Sequence, residues 1–344
     1  MENSAAARPR SSDGTGRYLL VLALLALLSG GLFAASLLVG RSAAPLLDLL
    51  MGGEVHDPQT LWLIFNEIRL PRALLATAVG ATLGLAGAAL QGYLRNPLAE
   101  PGLVGASSAA AFGAVLMLYT GASAWFPMAL PLGGIAGAIV GLALVMLLAG
   151  GRSGALTLIL AGVAVNTFAA ALTSLALNLA SSPYAALEIV FWLLGSLADR
   201  SFEHLRVALP FMLVGWLLLL RLGRALDALT IGEEAAASLG VRLPRLRLLV
   251  LLGVGLSVGA AVAVSGAIGF IGLVVPHLLR PLVGHRPGAL LPASALGGAA
   301  LTLAADIGVR LLSPGPELKL GVLTALIGSP FFVYLLVSMR KTTP

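Results

Sequence analysis

Four histidines, fifteen acids, two lysines and no cysteine are available to this 344-residue chain for binding a metal or moving a proton. Without cysteine there is no disulfide and no thiolate metal site. His56, His204, His277 and His285 are scattered over different loops and apolar runs, so no convergent His/Asp/Ser set is visible. Gly255-Leu256-Ser257-Val258-Gly259 spells the nucleophile-elbow pattern. That motif needs a strand-to-helix turn, whereas here it lies inside an apolar run with no histidine partner nearby. A phosphate-binding loop ends in Gly-Lys-Ser/Thr, and neither Lys319 nor Lys341 stands in one. The chain therefore has no ATPase site of that type. Asp306 is the one acid deep in an apolar stretch, and an intramembrane ionisable residue is a functional candidate by default. Arg310 lies one helical turn on, which favours a structural pair. A proton relay would need further acids at that depth.

The charge that remains is concentrated. Residues 221–247 hold Arg221, Arg224, Asp227, Glu233, Glu234, Arg242, Arg245 and Arg247, between two runs long enough to cross a bilayer. Within this window residues 231–240 predict one short helix. Gly232 serves as its cap and Glu233 and Glu234 sit in its first turn, where the helix dipole favours acids. Gly240 ends it where a left-handed residue is wanted. Ala235 and Ala236 give it a small face that a second protein can approach closely.

The elements that position these residues are dictated by composition. The chain is 58% hydrophobic and 10% charged, with a mean hydropathy of +0.99, against about 45–50% and about 25% in soluble domains. It is an integral membrane protein. Apolar runs predict spans near 18–39, 70–93, 101–120, 127–150, 155–179, 205–222, 247–265, 268–284, 289–312 and 318–338, each near the length a helix needs to cross the hydrocarbon. The fold class is an all-α polytopic membrane protein of about ten spans. Residues 1–17 read as a cytoplasmic tail, 18–338 as one transmembrane domain with 221–247 as its main polar loop, and 339–344 as a second cytoplasmic tail. The run 18–39 is too long for a secretory signal core, so it reads as an uncleaved first span. With both termini inside, the cytoplasmic loops carry fourteen of the 21 Lys and Arg residues, in keeping with the positive-inside rule. Residues 41–69 form an outer segment with a short interfacial helix at 61–65, and 186–198 suit a re-entrant or surface helix with Trp192 at the interface.

Two interrupted stretches punctuate the spans. Residues 95–102, Arg-Asn-Pro-Leu-Ala-Glu-Pro-Gly, lose two backbone donors at Pro97 and Pro101. Irregular backbone at membrane depth is tolerated only inside protein or against a water-filled path. Residues 269–277 are interrupted likewise by glycine and proline. His277 there could ligate heme iron, but Arg280 within one turn favours a structural or interfacial place. A repeat links the halves: Leu70-Pro71-Arg72 opens the second span and Leu243-Pro244-Arg245 the seventh, with Gly80 and Gly253 each eight residues beyond the arginine. The halves would have opposite orientations, the inverted-repeat design of many transporters. Gly133, Gly137 and Gly141, and Gly80 and Gly84, recur at four-residue spacing and predict close helix seams.

These motifs, in order, are RLPR at 69–72, QG at 91–92 with RNPLAEPG, LAGVAVN at 160–166, FWLLGSL at 191–197, EAA with Gly240, GFIGLVVPH, and LKLGVLTALIGSPFF at 318–332. Together they resemble the ABC importer permeases for iron chelates (siderophores and heme) and vitamin B12, the FecCD/BtuC-like family. The resemblance implies a homodimeric permease, two ATP-binding cassette subunits that carry ATP and Mg, and a periplasmic substrate-binding protein, all at the bacterial inner membrane. It implies that Gly232, Glu233, Glu234, Ala235, Ala236 and Gly240 form the coupling helix. It implies a cytoplasmic gate of Asn96, Leu98, Ser153 and Gly154, and binding-protein docking by Arg69, Arg72 and Arg310. No metal or cofactor held by this chain is implied. The cargo would be heme or a ferric siderophore, with vitamin B12 as the alternative. The rival class, a stand-alone secondary transporter, predicts buried coupling charges and no cytoplasmic docking helix.

Overall fold

A computed structural model describes residues 11–40, 58–126, 128–150, 154–312 and 317–342, and among these all regular structure is helical. The long elements are α1 (Ser11–Leu38), α2 (Pro58–Leu63) running into α3 (Leu70–Leu94), α4 (Ala106–Tyr119), α5 (Ala129–Ala149) and α6 (Ala155–Asn178). After them come α7 (Pro183–Leu193), α8 (Phe202–Leu220), α9 (Gly223–Leu229), α10 (Glu233–Ser238), α11 (Leu243–Ser265), α12 (Ile271–Leu279), α13 (Pro287–Leu312) and α14 (Leu320–Thr342). Among the described residues eight helices are long and apolar enough to cross a membrane. The expected spans near 101–120 and 268–284 are instead short broken helices of 14 and 9 residues. The first is cut by a single turn at Pro101–Val104 and by Gly105 at φ 77°. The second begins only after Gly266 (φ 69°) and Phe270 (φ 67°).

The helix boundaries correct one expectation. The described part of α1 already includes residues 11–17. The helix expected at 61–65 is not a separate element. It continues through a π-helical turn, Ile64–Arg69, into α3, and the Leu70 N–H reaches back to the Phe65 carbonyl. Pro71, which lacks an N–H, follows directly at the start of α3. The re-entrant or surface helix expected near 186–198 corresponds to α7, entered at Ser182, whose hydroxyl accepts from the Ala185 N–H at 3.2 Å.

Helices that are apolar all round sort by burial, not by amphipathic stripe. The most apolar stretch of α2–α3 is 83% buried and that of α11 is 78%, against 11% for α1. So α3 and α11, the two helices opened by Leu-Pro-Arg, form the centre. Around them pack α13 on α3, α4 on α5, and α8 on α11. The glycine seams account for these pairs. A Cβ at Gly80 would lie 2.3 Å from the Gly298 carbonyl oxygen, and one at Gly84 would lie 2.0 Å from that of Ser294. Gly137 meets Ala109 across α4–α5 in the same way, at 2.3 Å. Trp216 of α8 donates to Thr82 Oγ1 of α3 at 2.8 Å, giving its indole N–H the partner a buried tryptophan needs.

Candidate functional site

The polar window between α8 and α11 folds as two short helices, α9 and α10, joined at Gly232. Gly232 has φ 111° and Gly240 φ 88°, values that residues with a Cβ rarely adopt. The expectation of glycine caps at both ends is met. Ala236 is fully buried against the body, while Ile231, Glu233, Glu234, Ala237 and Leu239 are exposed. Ile231 and Leu239 leave 63% and 66% of their surface open. An acidic first turn flanked by two bare apolar side chains is a knob that nothing among the described residues covers.

Arg95 ties that knob to the break after α3. It ends α3 in the left-handed region (φ 48°), and its Nη2 lies 3.7 Å from Glu233 Oε1. Both side chains are about half exposed, so the pair contributes about 0.2–1 kcal/mol. It still sets where the knob sits relative to the break. Beyond Arg95 the Asn96 side chain accepts from the Leu98 N–H at 2.9 Å, a local turn that fixes both predicted gate residues. Gln91, one turn before the break, donates to the carbonyls of Gly272 (3.3 Å) and Leu273 (3.4 Å) and accepts from Arg280 Nη2 at 2.5 Å.

Those contacts bring the two interrupted stretches together. Glu100 accepts from the Phe270 N–H. Burial pushes its carboxyl above the ordinary range, and that hydrogen bond pulls it back in part. A Cβ on Gly272 would stand 2.8 Å from Pro101. Phe270 holds a left-handed backbone, and its side chain covers Gly328 of α14. A non-glycine residue in that region stores on the order of 1–3 kcal/mol of strain, which persists where the surroundings over-determine it. The second predicted gate element is only partly described. Gly154 starts α6 in open space, Arg247 Nη2 donates to the Gly150 carbonyl at 2.7 Å, and Ser153 lies outside the described residues.

At the opposite end stand Arg69, Arg72 and Arg310, the residues expected to meet the binding protein. All three are turned inward. Arg72 donates from Nε and Nη2 to Asp306 at 2.8–3.1 Å and also binds Glu317. Arg310 pairs with Asp306 at 2.9 Å and donates to the carbonyls of Ser36 (2.8 Å) and Val39 (2.7 Å). Arg69 Nη1 donates to Leu37 and Leu38 carbonyls at 2.7 and 3.1 Å. The last carbonyls of a helix have no partner of their own, and these two arginines supply them for α1. Asp306 is fully buried, so the expected Asp306–Arg310 pair forms, with Arg72 added. The three arginines line a cavity of about 470 Å³ with Arg200, Asp199 and Glu317. They stand in its wall.

Some pairings left no mark in the sequence. Arg72 and Glu317 are 245 residues apart, and Gln91 and Arg280 are 189 apart. Only the presence of an acid inside an apolar run pointed to Asp306. His277 packs its ring edge-on to Phe331 at 5.8 Å. Among the described residues no group of three or more His, Asp or Glu is placed to hold a metal.

The profile of the FecCD transport family matches residues 23–338. The chain is 43% identical over 281 residues to the Fe(3+) dicitrate transport system permease protein FecD of Escherichia coli, covering 80% of this chain and 86% of that protein. It is 38% identical to the hemin transport system permease protein HmuU of Yersinia pestis, over 95% of this chain and 96% of that one. It is 41% identical to the vitamin B12 import system permease protein BtuC of Vibrio cholerae, over 82% and 83%. A solved structure described as an inward-facing metal-chelate type ABC transporter superposes with a TM-score of 0.80 at 36% identity, covering 93% of this chain and 99% of that one.

Proposed function

The chain belongs to the FecCD transport family, and from that premise we propose that it imports an iron chelate, heme or a ferric siderophore, as the membrane subunit of an ATP-driven transporter. Relatives for iron citrate, hemin and vitamin B12 match it about equally well, so vitamin B12 remains the second reading. We assign the chain to the inner membrane with both termini cytoplasmic. It works as a dimer of two copies, with two ATP-binding cassette subunits below and a substrate-binding protein outside. ATP and Mg belong to the motor subunits.

One observation carries the mechanism: the exposed α10 knob is linked through Glu233 and Arg95 to the break at Asn96 and Leu98. Closure of the motor would push on Ile231, Glu233, Glu234 and Leu239. The push passes to the 95–100 break and, through the Arg247–Gly150 contact, to the loop holding Ser153 and Gly154. Those four residues form the cytoplasmic gate. Transport then follows from differential stabilisation of two states, with no tight site required in the path. The buried arginines at the other end brace the rim on which the binding protein docks.

Ala237 tests this more cleanly than Gly240. It is exposed and helical, whereas any side chain at Gly240 would also strain a backbone at φ 88°. Ala237→Trp should abolish co-purification of the motor subunit while the permease remains monodisperse. Full co-purification by this variant would sink the coupling role. A visible spectrum of the co-purified binding protein decides the cargo: a Soret band means heme, and its absence with the motor present leaves siderophore or vitamin B12.

A further inference from the structure

At the end of the molecule that carries α9 and α10, a cleft of about 820 Å³ lies between the start of α1, the end of α8 and the turn before α13. The transport reading makes no use of it. Arg17, Arg221, Arg224 and Arg286 line it, together with one acid, Asp227. Four arginines less one aspartate leave a lining charge of +3. Asp227 is already engaged, accepting from the Gly288 N–H at 2.7 Å and from Arg286 Nη2 at 3.2 Å. Among the described residues no acid forms an ion pair with Arg17, Arg221 or Arg224. Like charges gathered in one recess repel, and a bound anion removes that cost.

The wall of the cleft limits which anion. Leu220 and Leu282 line it and leave 46% and 43% of their surface open. Tyr18, half-buried, adds a ring with a polar tip. Arg221 caps the end of α8, so these cations stand where a membrane-spanning helix leaves the hydrocarbon. A free anion would gain nothing from the apolar wall. A phosphate joined to acyl chains satisfies both parts at once. Arginine also suits phosphate oxygens, since its planar fork can donate twice to one group, and basic pockets between helix ends at the cytoplasmic surface hold anionic headgroups.

We propose that this cleft binds the phosphate headgroup of an anionic phospholipid of the cytoplasmic leaflet, with Arg221 and Arg224 as its main ligands. The assignment of leaflet rests on the topology proposed above. The lipid would brace α8 and α9, the segment that leads into the α10 knob.

The test uses the permease with its motor subunit, delipidated in mild detergent and titrated with phosphatidylglycerol or phosphatidylcholine while bound lipid is read by native mass spectrometry. Phosphatidylglycerol should bind and phosphatidylcholine should not. R221Q with R224Q should weaken phosphatidylglycerol binding about thirtyfold, the combined effect of two surface arginines. R221K with R224K should retain most of it. Millimolar inorganic phosphate should not displace the lipid. Equal phosphatidylglycerol binding by wild type and the glutamine variant overturns the proposal. Displacement by inorganic phosphate assigns the cleft to a free anion and overturns it too. If the glutamine variant keeps the lipid but sheds the motor, the arginines belong to the motor interface. An intact complex that never binds phosphatidylglycerol refutes the lipid site while leaving the importer reading untouched.

Discussion

Asp306 carries two guanidiniums on one carboxylate, which makes the outer end of the bundle sensitive in an unequal way. Asp306→Asn keeps the shape and an acceptor but removes the charge. Arg72 and Arg310, each about a tenth exposed, would then face each other in a site with no buried anion, and only the partly exposed Glu317 would still compensate Arg72. Stranding a buried charge costs about 3–5 kcal/mol. Arg72→Met removes a cation instead. Asp306 then keeps Arg310 at 2.9 Å, and Glu317 can turn to water, so the cost falls to about 1–3 kcal/mol, that of losing charge-assisted hydrogen bonds. The order should therefore be Asp306→Asn worse than Arg72→Met, with the double variant no worse than Asp306→Asn alone. The assay is thermal unfolding of the detergent-solubilised permease, followed by size-exclusion of the remaining monodisperse fraction. A larger loss for Arg72→Met, or a neutral Asp306→Asn, would show that Asp306 does not organise this end.

Reversing the cytoplasmic link should separate coupling from stability. Glu233→Arg or Arg95→Glu alone should lower transport per ATP with little change in unfolding, since the pair contributes under about 1 kcal/mol; the double reversal should recover transport, and failure of any recovery counts against a direct link. Gly84→Ala puts a methyl 2.0 Å from the Ser294 carbonyl and should destabilise by about 1–3 kcal/mol through overpacking. Gly154→Ala meets open space and should leave the melting temperature unchanged, so equal losses in the two variants would discredit the seam argument. Ser36→Ala removes one acceptor of Arg310 and should loosen the end of α1, seen as faster hydrogen exchange at residues 35–38; unchanged exchange would show that the arginine does not cap that helix.

Much of this architecture was legible in the chain. Apolar runs located the long helices, proline and glycine located the break after α3, and a four-residue spacing paired Asp306 with Arg310. Glycines at the same spacing marked the α3–α13 and α4–α5 seams. What could not be read was how the helices turn about their axes. A helix between lipid and protein is apolar on both faces, so its sequence lacks the polar stripe that would orient it. Arg72 therefore read as an exposed outer charge, although its helix points it at Asp306, 234 residues away. The Arg95–Glu233 link was hidden for the same reason. The π turn at 64–69 escaped because a backbone slip of one residue has no composition of its own.

The backbone contacts between α3 and α13 also decide which parts of the molecule can move. Where Gly80 and Gly298 touch carbonyl to Cα, the two helices are keyed like teeth. A slide along the axis, about 1.5 Å per residue, would break the register in which Gly80 and Gly84 face the Gly298 and Ser294 carbonyls. The pair must travel as one stiff beam. Any inward or outward swing then has its pivots outside the beam, at the 95–105 break on one side and at the turn between Gly266 and Phe270 on the other. The chain's fulcrums thus lie where its backbone is least regular, and the glycines that look most permissive in the sequence are the ones that forbid sliding.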